Sequence, residues 1–178
     1  MDELPVNVST YDNIFDRKKK DTRSLSLTIN TPESVATVGD LYVTTTLTNT
    51  GTRTVKLIDA PYTTLGGLPT SIFKITSERG SPRPIGCKVK FSYDAAIKGR
   101  CLTTLAPGET YTSTHHLARL YDFSNVGPGS YPIDYGGHEY CYITSSGKLA
   151  KSKISPATSP SYFRLGGDDG PVEVAERE

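Results

Sequence analysis

Chemistry in this chain would have to come from few residues: three histidines, three cysteines and a set of tyrosines gathered toward its second half. His115 and His116 are adjacent. Neighbours on a strand point to opposite faces, so the two are not expected to share an ion. His138 and Cys141, in His138-Glu139-Tyr140-Cys141, set an imidazole and a thiol at a spacing that zinc sites use. No second Cys or His pair stands nearby, and a surface histidine beside a structural cysteine explains the same residues. The chain has no His-Glu-x-x-His, no Gly-x-Ser-x-Gly and no Walker loop. Gly127-Pro128-Gly129 lacks the following helix that a phosphate cradle needs. A Cys–His nucleophile pair would have to be assembled in space, and no spacing supports one. The expectation is a protein with no catalytic residues and no cofactor.

The aromatic residues suggest structure or recognition instead. Tyr121 and Phe123 bracket Asp122 just before Gly127-Pro128-Gly129. Tyr121, Asp122, Gly127 and Gly129 therefore read as a structural corner, in which a tyrosine hydroxyl caps a backbone group where the chain changes sheets. An exposed recognition loop is the functional alternative. Tyr135, Tyr140 and Tyr142, with Gly136 and Gly137, could form a contact surface for carbohydrate or peptide, although tyrosine-rich strands are more often plain β-formers.

The elements that must position these residues are short strands. Leu25, Leu27 and Ile29 alternate with polar neighbours, as do Leu41, Val43, Thr45 and Leu47. Asn49-Thr50-Gly51-Thr52 reads as a turn with Gly51 at positive φ, leading to a strand near Val55–Ile58 as a hairpin. Ile72–Ile75 follows, then the proline-rich link Arg79–Pro84, which cannot lie inside a sheet. Ile85, Cys87, Val89, Phe91 and Tyr93 give the cleanest alternation in the chain and predict a strand with Lys88 and Lys90 on its wet face. Leu102 and Leu105 precede a turn at Ala106-Pro107-Gly108-Glu109, and Tyr111, Ser113 and His115 alternate after it. Further strands are expected at Tyr131–Tyr135, Tyr140–Ile143 and Tyr162–Leu165, with residues 145–161 as a loop. Seven to nine short strands with turn signals between them describe an all-β, immunoglobulin-like antiparallel sandwich. It would span residues 24–165, between a flexible polar and basic arm (1–23) and an acidic flexible tail (166–178) that could pair briefly at Val172 and Val174.

Composition agrees. In 178 residues, 20 basic side chains face 19 acidic ones, so neither nucleic acid nor an anionic membrane is an expected partner. No window approaches the roughly 18 apolar residues of a membrane span. The basic run Arg17–Arg23 is a solvated arm, a processing site or a nuclear localisation patch. Cys87, Cys101 and Cys141 are an odd set, either reduced thiols filling small apolar spaces or one disulfide with a free thiol. Met1-Asp-Glu-Leu-Pro-Val carries no leader, so the chain as written is expected in the cytoplasm, and outside the cell if a leader has been trimmed away. Only the second case would make Asn7-Val8-Ser9 a usable glycosylation sequon.

Three segments carry a resemblance to a known family: Ser24-Leu-Ser-Leu-Thr-Ile29, Asp40-Leu-Tyr-Val-Thr-Thr-Thr-Leu-Thr-Asn-Thr-Gly51, and Leu105-Ala-Pro-Gly-Glu109. Together with His116-Leu-Ala-Arg-Leu-Tyr-Asp-Phe-Ser-Asn-Val-Gly-Pro-Gly-Ser-Tyr131, they look like the pro-region of fungal deuterolysin-type metalloendopeptidases, which include the peptidyl-Lys enzymes of mushrooms. The resemblance covers about residues 24–135. In those proteases the segment precedes a zinc domain with His-Glu-x-x-His and Gly-Thr-x-Asp, neither of which occurs here, so no catalytic or ligand residue is carried over. The resemblance implies a non-catalytic domain that binds a protein, as inhibitor or folding assistant of such a zinc endopeptidase. Loops near Thr63–Pro69 and Arg79–Pro84 could reach its cleft. The alternative is a free-standing, lectin-like fungal module that binds carbohydrate or protein in defence or as an effector.

Overall fold

The computed structural model of the protein describes residues 24–152, 154–155 and 161–166. The arm over 1–23, the sequon and the tail pairing at Val172 and Val174 lie outside the described residues. In chain order the elements are β1 (Leu25–Asn30), β2 (Ser34–Val35), β3 (Tyr42–Asn49), β4 (Val55–Ile58), β5 (Phe73–Ile75), β6 (Arg83–Pro84), helix α1 (Tyr93–Lys98), β7 (Leu102–Leu105), β8 (Thr110–His116), β9 (Tyr121–Asp122), β10 (Gly129–Tyr135), β11 (Tyr140–Ile143), β12 (Leu149–Ser152), β13 (Ile154–Ser155) and β14 (Ser161–Leu165). Short 3-10 turns at Val38–Asp40 and Leu117–Arg119 lead into β3 and β9.

Sidedness builds the layers. Along β3, Val43, Thr45, Leu47 and Asn49 are buried while the residues between them are more open. A pleated strand has this period, and β-branched side chains suit it. β3 is the centre of one sheet, ordered β13-β1-β3-β8. Two smaller sheets, β2-β14-β10-β5 and β12-β11-β4-β7, cover it. One cluster joins Val43 to Phe73, Ile75, Tyr131, Ile133, Phe163 and Leu165, under the first of these. A second joins Leu25, Leu27 and Leu47 to Val55, Leu57, Leu105, Tyr140 and Tyr142, under the other. Each large apolar side chain so buried contributes about 1.5–3 kcal/mol. The fold is an all-β sandwich, and antiparallel pairing dominates it.

Asn49 is where the chain leaves one layer for the other. It has no exposed surface. Its Nδ2 donates to the Arg53 and Leu105 carbonyls at 2.8 and 2.9 Å, and its Oδ1 accepts from the Gly51 amide at 2.9 Å. This network replaces the expected hairpin: β3 pairs with β1 and β8, whereas β4 pairs with β7 and β11. Gly51 is not among the positive-φ glycines, because the side chain of Asn49 shapes the turn.

Other expectations are corrected by tertiary partners. Among the described residues there are fourteen strands, more than the seven to nine expected, because four are two-residue pairings and β12 lies where a loop was expected. Arg83–Pro84 does pair, with Tyr121–Asp122, in a separate two-stranded ribbon where proline's missing donor matters little. The supposed loop 145–161 holds β12 and β13, which add to β11 and β1. The predicted strand Ile85–Tyr93 is not one. After Pro84 the chain meets side-chain hydroxyls and loop carbonyls in place of a strand edge, and Ser92 then caps α1 by accepting from the Ala95 amide at 3.1 Å.

Among the described residues, no helix is long and apolar enough to cross a membrane. All three cysteines are free, but only Cys141 is buried; Cys87 and Cys101 are exposed and fill no apolar space.

Candidate functional site

The corner predicted at Tyr121 is held by a long-range pair of hydrogen bonds. The Tyr121 hydroxyl donates to the Phe73 carbonyl at 2.6 Å and accepts from the Phe73 amide at 2.7 Å. Burial pushes this phenol up to about 12. Beside it, Asp122 accepts from the Ser124 amide at 2.9 Å and pairs with Arg83 at 2.6 Å. These bonds, the amide foremost, bring its carboxyl down to about 2. Gly127 (φ 76°) and Gly129 (φ 148°) take backbone conformations closed to most side chains. The Tyr131 hydroxyl bonds the Gly127 carbonyl. Next to the corner an apolar groove of about 850 Å³ opens, walled in part by Val38, Ile85, Ala118, Phe123, Pro128 and Leu165.

The tyrosines expected to form a recognition surface do something else. Tyr140 and Tyr142 are buried at 0% and 8% exposure, so they offer no face to a sugar or peptide. Tyr140 bonds the Thr64 hydroxyl at 2.7 Å, and Tyr135 stacks on it at 5.6 Å. Both phenols are raised by burial. The reason is the pleat: Tyr140 and Tyr142 share the face of β11 turned to the core, while Cys141 between them packs with Ile58 against Ala96 of α1 on the other face.

Tyr135 and His138 instead support Tyr62, which the sequence did not mark. The Tyr135 hydroxyl donates to the His138 and Tyr62 carbonyls at 2.5 and 3.3 Å, and the His138 amide donates to the Tyr62 carbonyl at 2.8 Å. The His138 ring lies 4.9 Å from that of Tyr62. Among the described residues, no three His, Cys, Asp or Glu side chains gather as a metal-binding group. Held this way, the Tyr62 hydroxyl accepts from the Val89 amide at 2.7 Å and faces the Val89 carbonyl at 3.3 Å. It moors the 85–92 segment to the body.

A second cleft, about 240 Å³, lies between β8 and the loop at 63–72. The two histidines part as expected. His115 points inward, its Nε2 within 3.0 Å of the Thr45 hydroxyl and 3.1 Å of that of Ser113, and burial lowers its pKa. His116 points outward, stacked on half-exposed Tyr42 at 4.3 Å.

Comparison with known proteins bears on what these surfaces serve. Over 114 residues, 62% of the chain, it is 40% identical to the peptidyl-Lys metalloendopeptidase of Grifola frondosa. Over 157 residues, 86% of the chain, it is 37% identical to the peptidyl-Lys metalloendopeptidase of Armillaria mellea. The chain is similar to one region of these fungal endopeptidases. It spans only 33% and 43% of their lengths. A match over 86% of the chain must run past Tyr135, so the similarity reaches beyond the 24–135 stretch and takes in β11. No protein-family model matches. Among solved structures, a β-glucosidase from Listeria innocua aligns with TM-score 0.31 and 15% identity, over 82% of this chain and 16% of that one. A structural-genomics target aligns with TM-score 0.36 and 16% identity, over 89% and 96%. Likenesses this distant assign nothing.

Proposed function

We propose that this chain is a non-catalytic β-sandwich that binds a protein partner, as inhibitor or folding assistant of a deuterolysin-like zinc endopeptidase, in the manner of a protease pro-region. The observation that carries the reading is the form of the similarity: most of this chain matches a minor part of two endopeptidases. The surface is compatible with it. The apolar groove at the corner would be desolvated by a partner, and exposed apolar patches of this kind favour protein contact. The contacts of the histidines are compatible with it as well: His115 bonds hydroxyls, and His138, with Tyr135, braces Tyr62.

The test mixes the purified chain with active Armillaria mellea peptidyl-Lys metalloendopeptidase and follows substrate turnover, together with the refolding yield of the denatured protease. Saturable inhibition, or a raised refolding yield, is the expected result. No complex, no inhibition and no gain in yield at micromolar concentrations would refute the reading.

A further inference from the structure

We propose that residues 87–91 are the segment that enters the partner's substrate cleft, with Lys88 or Lys90 seated where a lysine-directed endopeptidase takes its lysine. This rests on the protease-partner reading above.

The argument starts from how the segment is held. The Ile85 amide donates to the Leu120 carbonyl at 2.9 Å, the Cys87 amide to the Pro69 carbonyl at 2.8 Å, and the Val89 amide to the Tyr62 hydroxyl at 2.7 Å. Gly86 lies so close to the 69–71 loop that a Cβ there would come within 2.7 Å of the Ser71 nitrogen. The Gly86 amide also donates to the Ser71 hydroxyl at 3.0 Å, so the amides of 85, 86, 87 and 89 all face the body. Lys88 and Lys90, the residues between and beyond the moorings, form no backbone hydrogen bond with a described residue, and both are exposed. Apolar side chains flank them: Ile85 is 47% and Phe91 36% exposed, and Phe91 is propped edge-on by Tyr93 at 5.0 Å.

A moored segment with its next backbone groups unpaired is what a protease cleft can add to. Extended peptides are gripped through main-chain hydrogen bonds, and side-chain pockets give the specificity. Because mooring is already complete in the free chain, little ordering entropy remains to be lost on docking. Lysine is the relevant side chain, since both relatives are peptidyl-Lys endopeptidases. The other described lysines are poorly placed for this. Lys56, Lys74 and Lys151 sit in paired strands, Lys98 in α1, and Lys148 in a hairpin turn whose backbone bonds Thr144 both ways.

The experiment measures inhibition of the Armillaria mellea enzyme by the full chain and three variants. Lys88→Ala with Lys90→Ala should raise the inhibition constant about 100-fold, the scale of an interface hot spot. The same two positions changed to Arg keep the charge and should also lose most inhibition. Lys148→Ala with Lys151→Ala removes equal charge elsewhere and should leave inhibition within about threefold. Unchanged circular dichroism and urea midpoints would establish that the variants fold, as expected for exposed side chains. If the parent chain inhibits and the Ala pair inhibits equally well, or the Arg pair retains full inhibition, the assignment of Lys88 and Lys90 is overturned while the partner reading survives. If the parent chain neither binds nor inhibits, the partner reading has failed and this inference falls with it.

Discussion

Replacing Tyr121 by Phe removes one oxygen and almost no volume, which isolates the hydroxyl's part in the corner. The ring stays in the cluster with Phe73 and Leu120, so the cavity cost is small. What is lost is a pair of bonds, at 2.6 and 2.7 Å, to the carbonyl and amide of one residue. Each net hydrogen bond contributes about 1 kcal/mol, and each buried backbone group left without a partner costs about 1–3 kcal/mol. Tyr121 is only 5% exposed, so water cannot step in without opening the corner. We predict a destabilisation of about 2–4 kcal/mol. The chain has no Trp, so urea unfolding is best followed by far-ultraviolet circular dichroism. With a slope of about 1–3 kcal/mol per molar urea, the midpoint should drop by about 0.7 M or more at unchanged slope.

The same residue gives a pH signature. Its folded pKa, about 12, lies above the ordinary 10, so the fold holds the neutral phenol. Its contribution is complete below pH 10 and fades as the pH climbs from 10 toward 12. Tyr135 and Tyr140 are raised by burial as well and add to the alkaline loss. The difference between the parent chain and Tyr121→Phe therefore isolates the Tyr121 share: the variant should lose less stability over that range. A midpoint shift corresponding to less than about 1 kcal/mol, or identical alkaline slopes, would show that the hydroxyl does not hold the corner.

Two other perturbations test the frame around the site. Asn49→Ala strands the Arg53 and Leu105 carbonyls and the Gly51 amide at a position with no exposure, so a loss of about 3–5 kcal/mol is expected in urea titration. A loss under about 1 kcal/mol would mean that water or a neighbour replaces the amide. His115 has a folded pKa below the ordinary 6.5, because burial disfavours its charge. The stability tied to its neutral form is complete above 6.5 and is lost as the pH falls below it. His115→Gln should flatten the decline of the thermal midpoint between about pH 7 and pH 5, and an unchanged decline would refute the assignment.

How far all this could be read from the residues depends on whether the signal is local. Leu25, Leu27, Val43 and Leu47 announced their strands because one side of each meets the core and the other does not. Tyr121 was legible as an anchor, because a tyrosine before Gly127-Pro128-Gly129 is a local pattern. Its partner Phe73 was not, since the bond spans 48 residues and is set by how β5 packs. Tyr140 and Tyr142 misled for the opposite reason: a tyrosine suits core and surface alike, and only the packing of β11 over Leu25, Leu47 and Leu57 decides between them. Tyr62 stood unmarked in a loop with no periodicity around it, although it moors the proposed docking segment.

The instructive case is Ile85–Tyr93, whose alternation was the cleanest in the chain. Alternation reports that successive side chains face different surroundings, and so it predicts a drawn-out backbone; it does not say that another strand lies alongside. Here the neighbours are the hydroxyls of Tyr62 and Ser71 and the carbonyls of Pro69 and Leu120, which take the amides of residues 85, 86, 87 and 89. A strand pattern without a ladder leaves the backbone of Lys88 and Lys90 with no hydrogen bond to a described residue, beside exposed side chains. Such an edge invites another chain, and folded proteins usually cover or blunt it. Its persistence on a moored segment is hard to account for by stability alone, because two further ladder bonds would only have strengthened the sandwich. The lysine-taking cleft proposed above would supply a reason for keeping this backbone open.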